Sequence, residues 1–319
     1  MRAALLPDRG AVKVAGDGAR SFLHGLVTAD ILNLRVGEAR FCALLTPQGK
    51  IIADFIVAEA PAKNGGGFFL DVPRAQTTAL VEKLNLYKLR AKVTIEDLSA
   101  ILGVLAAWGG RPPPYPTPLA GEEKSNNPAP EAGKGSEGVG LRYADPRLPA
   151  LGIRAMLPPH LFATAASRLG AALVEASEYE AHRIALGIPH GGVDFSYGDA
   201  FPHETDMDQL AGIDFEKGCY VGQEVVSRME HRGTARTRAV PVSFEGAAPE
   251  AGAPIVSVNR QLGHIGSAAA GRAIALLRLD RVADALAHGE PLMAGGTPIR
   301  LVKPDWARFP FPGESEAAE

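Results

Sequence analysis

The sequence predicts an α+β body made of duplicated units, followed by a small all-β barrel at the C-terminal end. Three observations carry this. The order strand, proline, helix, strand occurs in FFLDVPRAQTTALVEKL, from Phe68, and returns in RAMLPPHLFATAASRL, from Arg154, about 85 residues later. Between the two copies, residues 109–138 hold seven prolines and six glycines and almost no large apolar side chain, the composition of a flexible insertion. From Ala239 onward the chain becomes a series of short apolar runs punctuated by Gly and Pro, which reads as a barrel. The expected parts are residues 1–108, the insertion 109–138, a second α+β unit at 139–236, and the barrel with an acidic, frayed tail at 237–319.

Taken in order, AVKVAG at 11–16 reads as a strand, and Asp17 is placed to cap a helix from Ala19 to Leu26. Gly16-Asp17-Gly18-Ala19-Arg20-Ser21 is a partial dinucleotide fingerprint with no βαβ repeat behind it, so nucleotide binding is not expected there. Phe41–Leu45 and Ile51–Ala58, joined by Thr46-Pro47-Gln48-Gly49, form a hairpin pattern, and Asp54 interrupts the second run. A carboxylate in such a strand either faces water or is buried for a purpose. The strand FFLDV leads through Pro73 into a helix over 74–86 with Ala79, Leu80, Leu84 and Leu86 as its apolar set, and residues 91–107 alternate as two strands. A second helix is expected over Ala171–Leu186. The stretch that follows is rich in Gly, Pro and Asp. Its acids (Asp194, Asp199, Glu204, Asp206, Asp208) and histidines (His190, His203) match neither an EF-hand nor a zinc spacing, and it reads as a solvated loop.

Composition sets further bounds. With 319 residues, 46% hydrophobic and 22% charged, the chain is an ordinary globular protein long enough for two or three domains. Acidic residues exceed basic ones by only three, so bulk attraction to nucleic acid or to a membrane is not indicated. The N-terminal MRAALLPDRG does not follow a signal-peptide pattern, and no apolar run approaches the ~18 residues of a membrane span. The cysteines, Cys42 and Cys219, cannot make a disulfide framework or a four-thiolate site, so no metal is expected within the chain alone and any iron-sulfur role must be shared with a partner.

The chemistry is expected at Lys217–Gly233, KGCYVGQEVVSRMEHRG. Gly218 and Gly222 flank Cys219-Tyr220-Val221 and allow sharp turns. After Gly222 a helix is expected. Gln223 and Glu224 suit its first turn, Val225, Val226 and Met229 share a face, Arg228, His231 and Arg232 lie toward its end, and Gly233 can adopt the left-handed C′ conformation. Cys219 reads either as a small buried hydrophobe or as a thiol set before a helix N-terminus beside Lys217, a placement that favours thiolate chemistry. From Lys217 to Arg238 the net charge is three positive, including Arg228, Arg232 and Arg236, which points to an anionic ligand.

KGCYVGQE, together with HRIALGIP at 182–189 ahead of it and Arg232-Gly233 and Arg236 behind it, resembles the YgfZ family of folate-binding, iron-sulfur cluster assembly proteins, relatives of the glycine-cleavage T protein. FLHGLVTADI and LLTPQGKIIADF are similar to that family's N-terminal half. The resemblance implies a T-protein-like body with a tetrahydrofolate pocket and no tightly bound metal. It also implies a role in supplying four-iron clusters to client enzymes, some of which modify transfer RNA. Asp54 stands where the T protein has the aspartate beside the folate nitrogen, and Phe41 where it has a tyrosine ahead of the turn. Ala185 replaces the pterin-holding glutamate, a loss of charge-assisted hydrogen bonds worth roughly 1.5–3 kcal/mol each.

The expected site therefore comprises Cys219 and Asp54 as chemical groups, with Phe41, Arg228, Arg232 and Arg236 toward folate. Lys217, Gly218, Tyr220, Gly222, Gln223 and Glu224 complete the motif. The leading expectation is an accessory factor rather than an enzyme, working in a bacterial cytoplasm with iron-sulfur carriers or clients as partners. The alternative is a folate-dependent aminomethyl or one-carbon transferase with Cys219 incidental. Direct nucleic-acid binding rests only on the arginines after Arg228 and is not expected.

Overall fold

The computed structural model describes residues 1–110, 140–233, 235–258 and 260–313. Residues 111–138 of the insertion, and the tail from 314, lie outside the described residues. The chain forms two compact units, Met1–Gly25 with Asp30–Phe41 and Phe55–Tyr179, and Leu26–Ala29 with Cys42–Asp54 and Glu180–Glu319.

In the first half of the chain, the strands β1 (Arg2–Leu6) and β2 (Arg9–Ala15) precede helix α1 (Ala19–His24) and the hairpin strands β3 (Ala39–Leu45) and β4 (Ile51–Glu59). Then come β5 (Phe68–Pro73), α2 (Thr77–Lys88), β6 (Thr94–Asp97) and β7 (Gly103–Trp108). One five-stranded sheet has the order β3-β4-β5-β2-β6. The hairpin tip, Cys42–Asp54, groups with the second unit. β8 (Leu141–Ala144), β9 (Ile153–Leu157), α3 (Phe162–Arg168) and β10 (Ala172–Leu173) complete another five-stranded sheet, β10-β1-β7-β9-β8.

The repeated pattern is real at the level of elements. β5 passes through Pro73 and a 3-10 turn into α2 and β6, as β9 passes through Pro158 and a 3-10 turn into α3 and β10. The second sheet differs by taking in β1, which pairs antiparallel with β7 over five residues and parallel with β10. That strand was not legible as one, and it explains a second departure. The helix expected from Ala171 begins only at Ala176, as α4 (Ala176–Ala185), because Ala172 and Val174 donate to the carbonyls of Met1 and Ala3.

Two smaller expectations also change. In α2 the buried residues are Thr77, Leu80 and Leu84, spaced to share one face, while Leu86 is exposed on the opposite arc. At the partial dinucleotide fingerprint, Gly16 adopts φ 112° against the backbone of Lys92 and Val93, and Gly18 N–H donates to Lys92 O at 3.3 Å. Those glycines serve close backbone packing, not a phosphate. The helix cap there is Gly18 without a side-chain hydrogen bond, rather than Asp17.

The C-terminal portion is the expected barrel. After α5 (Gln223–Arg232), strands β11 (Thr237–Phe244), β12 (Pro254–Ser257), β13 (Arg260–Ala269), β14 (Arg272–Arg278), β15 (Leu292–Ala294) and β16 (Thr297–Leu301) close in the order β11-β14-β13-β12-β15-β16. Helix α6 (Leu279–Ala287) sits between β14 and β15 in sequence. Alternate side chains of β11, Val240, Val242 and Phe244, meet Ile255, Leu262, Ile265, Leu277 and Ile299 in a single core. α6 adds Leu279, Val282 and Ala285 from one face.

Candidate functional site

A local turn shapes the start of the motif loop. Asp214 Oδ1 accepts the N–H groups of Glu216 and Lys217 at 2.9 and 3.0 Å, an Asx turn that aims the chain at Cys219. Lys217 is buried, and its Nζ donates to the carbonyls of Val27 (2.6 Å) and Ala29 (2.9 Å). Thr28, between them, accepts from Ala43 N–H (2.9 Å) and donates to Gly212 O (2.6 Å). VTAD thus serves as a backbone anchor for the loop. Tyr220 is buried, with the Lys217 ammonium 5.0 Å from its ring centroid, and burial together with Asp214 pushes its hydroxyl up to about 12. Cys219 and Gly218 are exposed.

Helix α5 begins after Gly222, whose φ of 84° is open to glycine but strained for other residues. A Cβ at Gly222 would lie 2.6 Å from Thr46 O and 3.2 Å from Gly49 Cα, and one at Gly49 would lie 2.9 Å from Val225 Cβ. The hairpin turn and the start of α5 therefore meet through two glycines. Val226 is buried, Gln223, Val225 and Met229 are half-buried, and Glu224, Arg228 and Arg232 face solvent. Gly233 ends the helix in the left-handed region, as its sequence position implied.

Asp54 is buried. Its Oδ1 accepts a short hydrogen bond from Tyr197, and a Cβ at Gly191 would lie 2.8 Å from the same oxygen. Of its neighbours, Cys42 is fully buried, and burial pushes its thiol well up, with Lys217 opposing and Asp54 adding to the rise. Phe41 is buried in the first unit, with the Arg147 guanidinium 5.7 Å from its ring centroid. Ala185 is exposed at the end of α4.

The acidic stretch before the motif is not a solvated loop. Asp194 and Asp206 are fully buried and His203 nearly so, while Asp199 remains outside. Two arginines make this possible. Arg183 reaches Asp194 Oδ2 at 3.0 Å, and Asp194 Oδ1 accepts from Ser267. Arg238 divides its donors among Asp206 Oδ1 (3.0 Å), both oxygens of Asp208 (2.9 and 2.8 Å) and His203 O (3.0 Å). Burial raises the Asp206 carboxyl well above the usual range, since a guanidinium shared with Asp208 compensates it incompletely. Arg238's carboxylates lie 30 and 32 residues away, and Arg183's Asp194 lies 11 residues on across an irregular stretch, so no periodic signature pairs either arginine in sequence.

A cavity of about 590 Å³ opens where α5 ends, lined among others by His203, Asp208, Glu230, Arg236, Arg308 and Phe309. Arg236 thus belongs to this cavity, and Asp54 is not among its lining residues. Among the described residues, no helix is long and apolar enough to cross a membrane.

Residues 8–113 match the GCVT N-terminal domain, and residues 236–309 the CAF17 C-terminal beta-barrel domain. The fold is that of a solved glycine cleavage system aminomethyltransferase T from Bartonella henselae (TM-score 0.71, 16% identity, 97% of this chain and 87% of that one). Among curated proteins, the mitochondrial iron-sulfur cluster assembly factor IBA57 homologue of Mycosarcoma maydis is 33% identical over 250 residues, 76% of this chain and 57% of its own. In the first three relatives this chain spans only 54–61% of their length. The mitochondrial IBA57 of Mus musculus is 30% identical over 323 residues, covering 94% of this chain and 84% of its own. These relatives are mitochondrial, which overturns the expectation of a bacterial cytoplasmic protein. With a GCVT-type N-terminal region, a CAF17-type barrel and this degree of likeness over nearly its whole length, the chain belongs to the IBA57 family.

Proposed function

We propose that this protein is an accessory factor for assembling or maintaining four-iron clusters in client proteins, and that it binds tetrahydrofolate or a derivative beside Asp54. The observation that carries the first part is Cys219, an exposed thiol on a loop whose flanks are fixed by the Asp214 turn and the Lys217 clasp. One thiol cannot hold a cluster alone, so the cluster is cargo shared with a carrier or client. Cys219 loses its proton to water and its sulfur replaces one carrier thiolate on a cluster iron; that thiolate takes up a proton, and no oxidation state changes. The relatives' description as iron-sulfur cluster assembly factors supports the reading, as does the likeness of KGCYVGQE to the YgfZ motif.

The residues fit folate in part. Asp54 offers Oδ2 beyond the oxygen held by Tyr197, and it retains slight exposure for a ligand edge. Exposed Ala185 supplies no carboxylate for a pterin. Bound tetrahydrofolate supplies a reduced nitrogen able to carry a one-carbon unit. Asp54 would hold the folate at that nitrogen as a hydrogen-bond acceptor, with Tyr197 keeping the carboxylate oriented. The retained Asp54 also favours a second reading, one-carbon transfer, in which Cys219 is dispensable.

Three measurements separate these readings. Cys219→Ser should fail to restore a four-iron client, a tRNA-modifying one included, in cells lacking the native protein; full restoration would sink the thiol's role. Calorimetric titration with tetrahydrofolate should show saturable binding that weakens at least tenfold in Asp54→Ala, and absence of binding at millimolar ligand removes folate. Turnover of a methylamine donor that survives Cys219→Ser but not Asp54→Asn would favour the transferase.

A further inference from the structure

We propose that His203, Asp208 and Glu230 form a binding site for a divalent first-row cation, of the Zn²⁺ or Mn²⁺ type, in the wall of the cavity where α5 ends. The reading of residue spacing left these groups without a role, because the three come from separate places in sequence and meet only in the fold.

Geometry is the first support. One donor atom from each residue lies within 4.8 Å of the others, and His203 Nε2 stands 3.0 Å from Glu230 Oε2. Two ligands bound at about 2.0–2.2 Å around a tetrahedral ion lie roughly 3.3–3.6 Å apart, so this hydrogen-bonded pair needs to open by only about half an ångström to hold one. His203 and Asp208 are fixed, with side chains 2% and 4% exposed, whereas Glu230 on α5 is 45% exposed and can swing to close the remaining distance. The cavity supplies an entry path and room for water to complete the coordination.

The unmet hydrogen-bonding capacity of this cluster is the second, independent support. Among the described residues, His203 Nδ1 and Asp206 Oδ2 are buried without a partner. Both belong to one turn, in which Asp206 N–H donates to His203 O at 3.2 Å. Glu230 as a carboxylate can only accept, so in the metal-free protein Nε2 carries the hydrogen and Nδ1 is left with an unused lone pair. The other tautomer, with its hydrogen on Nδ1, frees Nε2 for a metal, and that Nδ1 hydrogen is then available to a water or carbonyl, a usual support of a ligating histidine.

Charge agrees. Arg238 donates to Asp206 and Asp208 on its buried side, and Glu230 brings a second, exposed carboxylate within 4.8 Å of Asp208. Among the described residues, Asp208 Oδ1 accepts from Arg238 and so keeps a lone pair for a metal. Arg236 and Arg308 also line the cavity but are exposed, where water screens them. With one imidazole and two carboxylates the donor set is nitrogen and oxygen, suited to Zn²⁺, Fe²⁺ or Mn²⁺ and not to thiophilic Cu⁺.

The site stands apart from the folate and thiol readings, and its test can be run in a Cys219→Ser full-length background so that the thiol takes no part. After chelation and dialysis, calorimetric titration with Zn²⁺ should show one saturable equivalent. Glu230→Gln, half-exposed and so without effect on melting in the absence of metal, should weaken it at least tenfold. Co²⁺ should bind with a visible d–d spectrum free of thiolate charge transfer. Lack of a saturable equivalent, or undiminished affinity in Glu230→Gln, overturns the proposal. His203→Asn is the harsher variant; if it misfolds, the Glu230→Gln comparison decides.

Discussion

Cys219 and Lys217 stand two residues apart and do opposite work. The thiol faces solvent, and the ammonium beside it in sequence turns inward to the carbonyls of Val27 and Ala29. Lys217→Met leaves two buried carbonyls without their charged donor. At roughly 1.5–3 kcal/mol for a hydrogen bond to a charged group, and allowing for partial rescue by water, the loss should be about 2–4 kcal/mol in urea unfolding. Cys219→Ser should stay within about 0.5 kcal/mol of the parent, as expected of an exposed site. A Lys217→Met protein as stable as Cys219→Ser would show that the clasp contributes nothing. The motif's residue types were legible in sequence; the direction in which Lys217 points was not, because its acceptors are 188 and 190 residues away.

Among the elements, the hairpin turn and α5 form the joint that sets the thiol's position. Sequence foretold a glycine at each place, for a turn in one case and a helix start in the other, but not that the two glycines abut. Gly222→Ala brings a Cβ against Thr46 O and forces a left-handed φ, and Gly49→Ala meets Val225. Each should cost at least about 1 kcal/mol, the left-handed penalty alone. The check is a fall in melting temperature for both variants, with Gly233→Ala, whose Cβ meets nothing within 4 Å, as the milder control. Equal losses at all three glycines would mean that φ, and not the joint, sets the cost. The segment from Pro189 to Asp208 teaches the complementary lesson. Its polarity reads as exposure until Arg183 and Arg238 arrive to neutralise it.

For the whole molecule, a buried ion network gives a pH dependence with a defined sign. In the first unit, Asp71 joins Arg9 (2.6 Å) and Arg154 (2.6 Å), and Asp145 joins Arg154 (2.8 Å) and Arg147 (2.7 Å). Burial acts to raise both carboxyls, but Arg9 and Arg154 for Asp71, and Arg147 and Arg154 for Asp145, outweigh it and hold both below the usual range. Folded values below the unfolded ~3.9 mean that the contribution is full above about pH 4–5 and is lost as pH falls through the folded values. Stability should therefore be flat with respect to these groups from pH 6 to 8 and decline steeply below pH 4. Arg154→Met, which strips both aspartates of a partner, should cost about 3–5 kcal/mol at pH 7 and flatten the acid limb. An acid limb unchanged in that variant would assign it to other carboxylates.

The sequence by itself determined the class of fold, the barrel, and the helix after Gly222, because these rest on local periodicity and turn chemistry. Only the tertiary structure decided what lies inside. The pairing of β1 with β7 and β10, the clasp of Lys217, the contact of Tyr197 with Asp54 and the gathering of His203, Asp208 and Glu230 join residues up to 190 apart. Whether a charge can be buried depends on an opposite charge or a donor arriving from elsewhere in the chain, and no local pattern records that arrival.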